Sequence, residues 1–304
     1  MADLVPQLKR TLPAVLQDAG ESASERVIEF FTAEIRNENT REAYARAVRR
    51  FFRWAEGHGL NLSDIEPVHV AAYVEEDERA PATVKQNLAA LRRLFDFLVT
   101  GQVLPSNPAE PVRSPKLNAD GGKTPALTAE EARELLDSIV KDRQGLPQLR
   151  DRALIGVMTY TFARVSAVTG LDVEDYFQAG RRWKIRLHEK GGQRRTVPVH
   201  HKAKEYLDTY IDEAGIRKER EAPLFQSLRG RTGTLTGNRL QADNVLHMVK
   251  RRAKETGFDP AQVTCHTFRA TGITTFLENG GDLETAQHIA GHASANTTRI
   301  YDHR

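Results

Sequence analysis

The sequence predicts a mainly α protein in two domains, the second carrying one small antiparallel β-sheet. Three observations lead there. The chain has 304 residues, more than one typical domain of ~100–200 residues accounts for. Apolar residues recur at helical spacing over most of its length. The period drops to two only near residues 183–199. Prolines at 105, 108, 111, 115 and 125, with Gly121 and Gly122, read as an extended linker between the halves.

Taken in order, residues 1–20 read as an amphipathic N-terminal arm. Leu4, Val5, Leu8, Leu12, Val15 and Leu16 recur at helical spacing, interrupted by Pro6 and Pro13. Residues 21–112 form the first domain. In the helix through Thr40–Trp54, Tyr44, Ala47, Val48, Phe51, Phe52 and Ala55 make one apolar face, and Gly57 and Gly59 end it. Arg46, Arg49, Arg50 and Arg53 lie largely away from that face. The helix after Pro81 turns Val84, Leu88, Leu91, Leu94, Phe95 and Leu98 inward. Lys85, Gln86, Arg92 and Arg93 are left for solvent or a partner. The linker proper is 113–125, and 126–304 is the second domain. Thr128 with Glu131 makes a capping box before the helix Ala132–Val140. Residues 149–170 read as helical up to Gly170. Trp183, Ile185 and Leu187 alternate with Lys184, Arg186 and His188 as a strand, and Gly191-Gly192 turns it back through Thr196–Val199. Residues 201–214, 240–256, 268–279 and 283–290 read as further helices.

Composition narrows the class. Hydrophobic residues make up 39% and charged residues 28%, a globular balance. No apolar run approaches the ~18–20 residues of a membrane span, and the N-terminus lacks a secretory pattern. The single cysteine, Cys265, excludes an intramolecular disulfide and points to a reducing, cytoplasmic compartment. Net charge is only +3, too mild to identify a nucleic-acid partner. It is unevenly placed, −3 over residues 1–115 and +6 over 116–304, and 32 of the 44 basic residues are arginine. Arginine favours bidentate contact with phosphate or carboxylate.

Four places in the second domain offer phosphate-handling groups. Arg164 stands at a helix junction, in Arg164-Val165-Ser166 before Thr169-Gly170-Leu171. Lys190 precedes the Gly-Gly turn. His266 and Arg269 are about one helical turn apart. His292 follows Gly291, and Tyr301 follows nine residues later. His288 and His292 have a spacing that can bind zinc on a helix, but no third ligand is evident and Gly291 breaks the helix between them, so no metal is expected.

In that order these motifs resemble the tyrosine recombinase (phage integrase) family, in its Xer-like form, over nearly the whole chain. One motif alone is weak. Four in sequence, with a matching hairpin and linker, are specific. The resemblance implies a helical, SAM-like core-binding domain for 21–112, closing on Asn107-Pro108-Ala109, and a catalytic domain with the DNA breaking-rejoining enzyme fold for 126–304. Three departures stand out. Ala167 occupies a position where the family often has an acidic residue, which bears on how Arg164 is oriented. Phe162-Ala163 replaces the usual Gly-Leu, and Ala290 replaces a common Leu.

The resemblance also implies a chemistry, and physical reasoning explains the residue types. A phosphodiester repels nucleophiles, and Arg164 and Arg269 would neutralise its nonbridging oxygens in the transition state. His292 would add a hydrogen bond. Tyr301 would attack, leaving a 3′-phosphotyrosyl link and a 5′ hydroxyl. With a reference pKa near ~10, roughly one phenol in a thousand is ionised at neutral pH, so His266 would accept its proton. Lys190 would protonate the departing oxygen. No cofactor is implied, because the phosphotyrosyl bond conserves the energy for rejoining. Double-stranded DNA is the implied partner, contacted by Arg46, Arg49, Arg50, Arg53, Lys85, Gln86, Arg92 and Arg93. Four copies on paired sites would form a tetramer, in a cytoplasmic, nucleoid-associated setting with no membrane partner. Two other readings remain open at this point: DNA relaxation of the type IB topoisomerase kind, and a non-cleaving DNA-binding protein on the same scaffold. A denaturation-resistant protein–DNA adduct separates enzyme from binder. In many relatives a segment after the tyrosine packs on a neighbouring subunit. Here Asp302, His303 and Arg304 follow it, so the arm 1–20 is the candidate link, unless it packs on its own domain.

Overall fold

The computed structural model describes residues 12–116, 125–141, 145–189, 192–230 and 232–304. Two compact units divide the chain, residues 1–121 and 122–304. The described residues of the first unit are helical: α1 (Ala14–Asp18), α2 (Glu21–Glu29), α3 (Glu38–Gly57), α4 (Pro67–Glu75) and α5 (Pro81–Thr100). A π-type turn, Phe30–Glu34, extends α2. The Asn37 side chain caps α3 by accepting from the Thr40 N–H at 3.0 Å. Helices α3 and α5 meet through the apolar faces the sequence marks out. Phe51, Phe52, Leu88, Leu91, Leu94, Phe95 and Leu98 are all buried, each worth about 1.5–3 kcal/mol relative to exposure. Phe51 packs edge-on against Tyr73 and Phe95. Trp54 sits at the margin, its indole N–H donating to Glu76 at 2.6 Å.

Two sequence expectations are refined in this unit. Val15 and Leu16 lie inside its core, so α1 packs on its own domain. Leu4, Val5 and Leu8 lie outside the described residues. The 105–112 stretch is not free linker. Ala109 and Val112 are buried, and Asn107 donates to the Arg92 carbonyl at 3.0 Å.

The second unit contains α6 (Ala129–Lys141), α7 (Leu146–Thr161), α8 (Val165–Thr169), β1 (Tyr176–Ala179), β2 (Arg182–His188) and β3 (Arg194–Pro198). It continues with α9 (His201–Ala214), β4 (Gln226–Leu228), β5 (Leu235–Arg239), α10 (Ala242–Glu255), α11 (Cys265–Glu278), α12 (Leu283–Ala290) and α13 (Ala295–Arg299). The capping box forms: Thr128 N–H donates to Glu131 Oε2 at 2.7 Å and Glu131 N–H to Thr128 Oγ1 at 3.2 Å. Helix α7 is the spine, buried along Ala153, Leu154, Ile155, Val157 and Met158. At its base, Asp151 is 0% exposed and accepts from Arg150, Arg251 and Arg252, joining α7 to α10.

Strands β1, β2 and β3 form an antiparallel sheet in that order, with Ile185 opposite Tyr176 and Val197. The sequence marks β2 and β3 but not β1, whose Phe177 and Ala179 are only partly buried. It also misses the β4–β5 hairpin. The single helix expected over 149–170 is two. Phe162 takes a left-handed conformation, φ 53°, which ends α7 and starts a new direction at Ala163.

Candidate active site

The break after α7 places the first arginine. Arg164 is the residue before α8, and its side chain is 47% exposed. One N–H of its guanidinium donates to Glu189 Oε2 at 2.7 Å.

Helix α11 supplies two more groups from one face. Arg269 is 1% exposed. It donates to the Phe162 carbonyl, and to the Ala290 carbonyl at 2.7 Å. The left-handed Phe162 and the end of α12 are thus tied to the same guanidinium. Its buried Nε has no partner among the described residues. Burial, then the nearby Arg164 charge, pushes the Arg269 pKa down to about 10, so it remains cationic at neutral pH. His266, one turn earlier and exposed, has Nε2 3.1 Å from the Tyr301 hydroxyl. Desolvation, then the charges of Arg269 and Arg164, lowers its pKa from the ordinary value. The imidazole is therefore neutral near pH 7 and can accept a proton.

The last two groups flank a glycine-terminated helix. Gly291 closes α12 in the left-handed region, φ 63°, where glycine is the default residue. A Cβ there would also come within 2.9 Å of Arg195 Nε. The turn sends His292 inward. Its Nδ1 lies 2.9 Å from Thr298 Oγ1, which leaves Nε2 as its other polar edge. Burial and the surrounding arginines lower its pKa to about 4. Its ring lies nearly parallel to that of Tyr301, 11° apart with centroids at 6.1 Å. Burial raises the Tyr301 pKa, against the lowering influence of Arg269 and Arg164. The resting phenol is protonated, beside a neutral acceptor.

Five of the six sequence-predicted groups, Arg164, His266, Arg269, His292 and Tyr301, are described. Hydrogen bonds join His266 to Tyr301, and Arg164 and Arg269 both influence the Tyr301 phenol. Lys190 lies outside the described residues. Glu189 just before it is described, and its backbone N–H donates to the Gln193 carbonyl at 2.7 Å across the hairpin. As the sequence anticipates, the helix carrying His288 ends before His292.

Glu189 and Arg195 were not singled out by sequence reasoning. Arg195 donates to Glu189 Oε1 at 2.7 Å. A signal for both was present. Ile185 and Leu187 point inward, and the period of two carries on to Glu189. Arg195 likewise shares the face of buried Val197.

Among the first-domain candidates, Arg46, Arg49, Arg50, Arg53, Lys85, Gln86 and Arg93 are exposed. Arg46 pairs loosely with Glu42 at 3.6 Å, and Arg93 with Glu34 at 2.7 Å. Arg92 differs from expectation. Its guanidinium donates to the Ala109 carbonyl at 3.1 Å, to Ser114, and to the Val112 carbonyl. It fastens the 107–114 segment to α5 rather than standing open to a partner.

Known proteins resemble this chain in sequence and fold. The Phage integrase family profile matches residues 125–304, and the phage integrase N-terminal SAM-like domain profile matches 29–102. Tyrosine recombinase XerD of Chlorobaculum tepidum is 30% identical over 278 residues, covering 87% of this chain and 86% of that one. Tyrosine recombinase XerC of Thermodesulfovibrio yellowstonii is 30% identical over 274 residues, with 87% and 85% covered. Among solved structures, XerH bound to palindromic difH substrate superposes with a TM-score of 0.73 at 20% identity, covering 98% of this chain and 90% of that one. The lambda integrase tetramer bound to a Holliday junction gives 0.69 at 19% identity, covering 91% and 79%. These structures match the fold, the two profiles match 29–102 and 125–304, and the relatives match 87% of the chain: the chain belongs to the phage integrase family of tyrosine recombinases.

Proposed function

We propose that this chain performs site-specific recombination by using Tyr301 to cut one DNA strand at a time, through a 3′-phosphotyrosyl intermediate. The observation that carries this is the 3.1 Å contact between His266 Nε2 and the Tyr301 hydroxyl, where desolvation and then the nearby arginines lower the histidine pKa. Deprotonating a phenol costs least when the acceptor is already in line and unprotonated. The positive field of Arg269 and Arg164 then favours the phenolate and binds the phosphate oxygens. Arg164 offers the part of its guanidinium that Glu189 leaves open. Arg269 adds its positive charge, and its Nε has no partner among the described residues. His292 presents Nε2 beside the tyrosine ring. Lys190 protonates the 5′ oxygen as it leaves.

Exposed Arg46, Arg49, Arg50, Arg53, Lys85, Gln86 and Arg93 supply backbone and groove contacts in the first domain. Duplex DNA is the substrate. The lambda integrase structure on a Holliday junction is a tetramer, and the same assembly on paired sites is proposed here, acting on DNA in the cytoplasm. Among the described residues no helix is long and apolar enough to cross a membrane.

A nicked suicide duplex carrying the recombination site tests the reading. The wild-type chain should become covalently attached to DNA. Tyr301→Phe should bind the same duplex with similar affinity and form no adduct. Wild-type levels of adduct from the phenylalanine variant would refute the assignment.

A further inference from the structure

Arg164 has a long, flexible side chain, and its guanidinium must be held in place before phosphate arrives. Fixing such a side chain costs rotamer entropy, so a preorganised arginine needs a partner. Ala167, one turn further along α8, is 1% exposed and has no carboxylate to offer. The carboxylate that reaches Arg164 comes from the hairpin instead. We propose that Glu189 is the positioning residue for Arg164, tying this arginine to the β2–β3 strand pair through a carboxylate shared with Arg195. The inference rests on the strand-cleavage reading above and deepens it.

The geometry suits positioning. Each Glu189 oxygen serves a different arginine, Oε2 accepting from Arg164 and Oε1 from Arg195, both at 2.7 Å. The side chains of Glu189 and Arg195 are 10% and 11% exposed, against 47% for Arg164. The carboxylate and Arg195 are thus set in the wall, while Arg164 faces outward. Arg195 Nε and Nη1 are buried and have no partner among the described residues, so this guanidinium faces Glu189 and the protein interior rather than solvent. Register explains the pairing. Arg195 lies opposite Leu187 across the ladder, and Glu189 is two residues beyond Leu187 on the same face.

Charge balance supports positioning over blockade. Arg164, Arg195 and Arg269 outnumber the one carboxylate, so the site stays cationic. Glu189 takes one N–H of Arg164 and leaves the others for a phosphate. Without the carboxylate, Arg164 and buried Arg195 would repel each other, and the first would move outward. A misplacement near 1 Å can cost ~100-fold in rate.

The test is single-turnover cleavage of the nicked suicide duplex at saturating protein. Two substrates are used, the normal phosphodiester and its 5′-bridging phosphorothiolate. Four proteins are compared: wild type, Glu189→Gln, Arg164→Lys and the double variant. Glu189→Gln should slow cleavage roughly 10–100-fold on both substrates, with DNA affinity within about threefold of wild type. In the Arg164→Lys background, Glu189→Gln should add little, because the two act as one unit. Three results would overturn the proposal. Faster or unchanged cleavage by Glu189→Gln would make the carboxylate a placeholder or a bystander. A defect confined to the normal phosphodiester would place its effect on leaving-group protonation. Full additivity with Arg164→Lys would mean a separate structural role. If wild type itself forms no adduct, it is the cleavage reading that fails, and that outcome is distinct from all three.

Discussion

At the scale of single residues, the proposed cleavage depends on which groups carry protons. His266 has a lowered pKa because it is crowded by protein and faces Arg269 and Arg164. As the proposed proton acceptor it acts when neutral. Single-turnover cleavage should therefore stay level as pH falls to the ordinary histidine value of ~6.5 and decline only below it. A limb centred clearly above ~6.5 would contradict the neutral-acceptor assignment. His266→Gln should slow cleavage by roughly 10²–10⁴, the usual worth of a positioned base. His292 bears on stability as well. It is 8% exposed, and its pKa is lowered to about 4, while an unfolded histidine titrates near ~6.5. Between those values the unfolded chain holds the extra proton, so stability rises with pH across the window. It is fully present above ~6.5 and is lost as pH falls toward the folded value. The slope from this residue is at most about 1.4 kcal/mol per pH unit. Urea midpoints measured at several pH values should show it, and His292→Asn should flatten it.

At the scale of elements, the site is built where helices stop. Phe162 ends α7 with φ 53°, in a region that costs a side-chain-bearing residue roughly 1–2 kcal/mol. The ring earns its place by burial at 4% exposure among Ile273, Leu277 and Phe276. Phe162→Ala should then cost about 3–5 kcal/mol. Phe162→Gly should cost about 1 kcal/mol less, because glycine relieves the backbone. Equal losses in urea melts would remove strain from the account. Gly272 is the matching feature on α11. A Cβ there would fall 1.9 Å from the Thr159 carbonyl and 2.8 Å from the Phe162 ring. Gly272→Ala should force α7 and α11 apart and destabilise by about 1–3 kcal/mol or more. Sequence reading placed α9 and α12 well, because their apolar periods and caps are local. The Phe162 break was concealed because no glycine or proline marks it between Thr161 and Ala163. The weakly buried β1 and the short β4–β5 hairpin gave too little alternation to stand out.

At the scale of the whole molecule, two-domain organisation and the short motifs that carry the candidate groups were legible, because proline clustering and such motifs lie within single stretches of sequence. What joins those stretches was not. Arg164 meets Glu189 across 25 positions, and Asp151 meets Arg252 across 101. No local pattern specifies such pairs. Arg92 shows the same limit from the other side: its helical position reads as exposed, but a chain segment 17 residues away folds back over it. DNA binding belongs to this scale too. If exposed Arg46, Arg49, Arg50 and Arg53 meet phosphates, affinity should fall steeply between ~50 and ~200 mM salt. Replacing each of these arginines by glutamine should reduce the salt slope by about 1 per true contact. Arg92→Gln should instead lower stability and leave the slope unchanged. Equilibrium binding across a salt series would check both.

The central claim is that one phenolic oxygen, that of Tyr301, becomes bonded to DNA. Trypsin digestion of the wild-type adduct, followed by mass spectrometry of the peptide that remains on the oligonucleotide, measures it most directly. Cleavage after Arg299 releases Ile300–Arg304. The account predicts the DNA 3′ phosphate on that peptide, at Tyr301. Attachment to any other residue, or no covalent complex on a cleavable site, would contradict it.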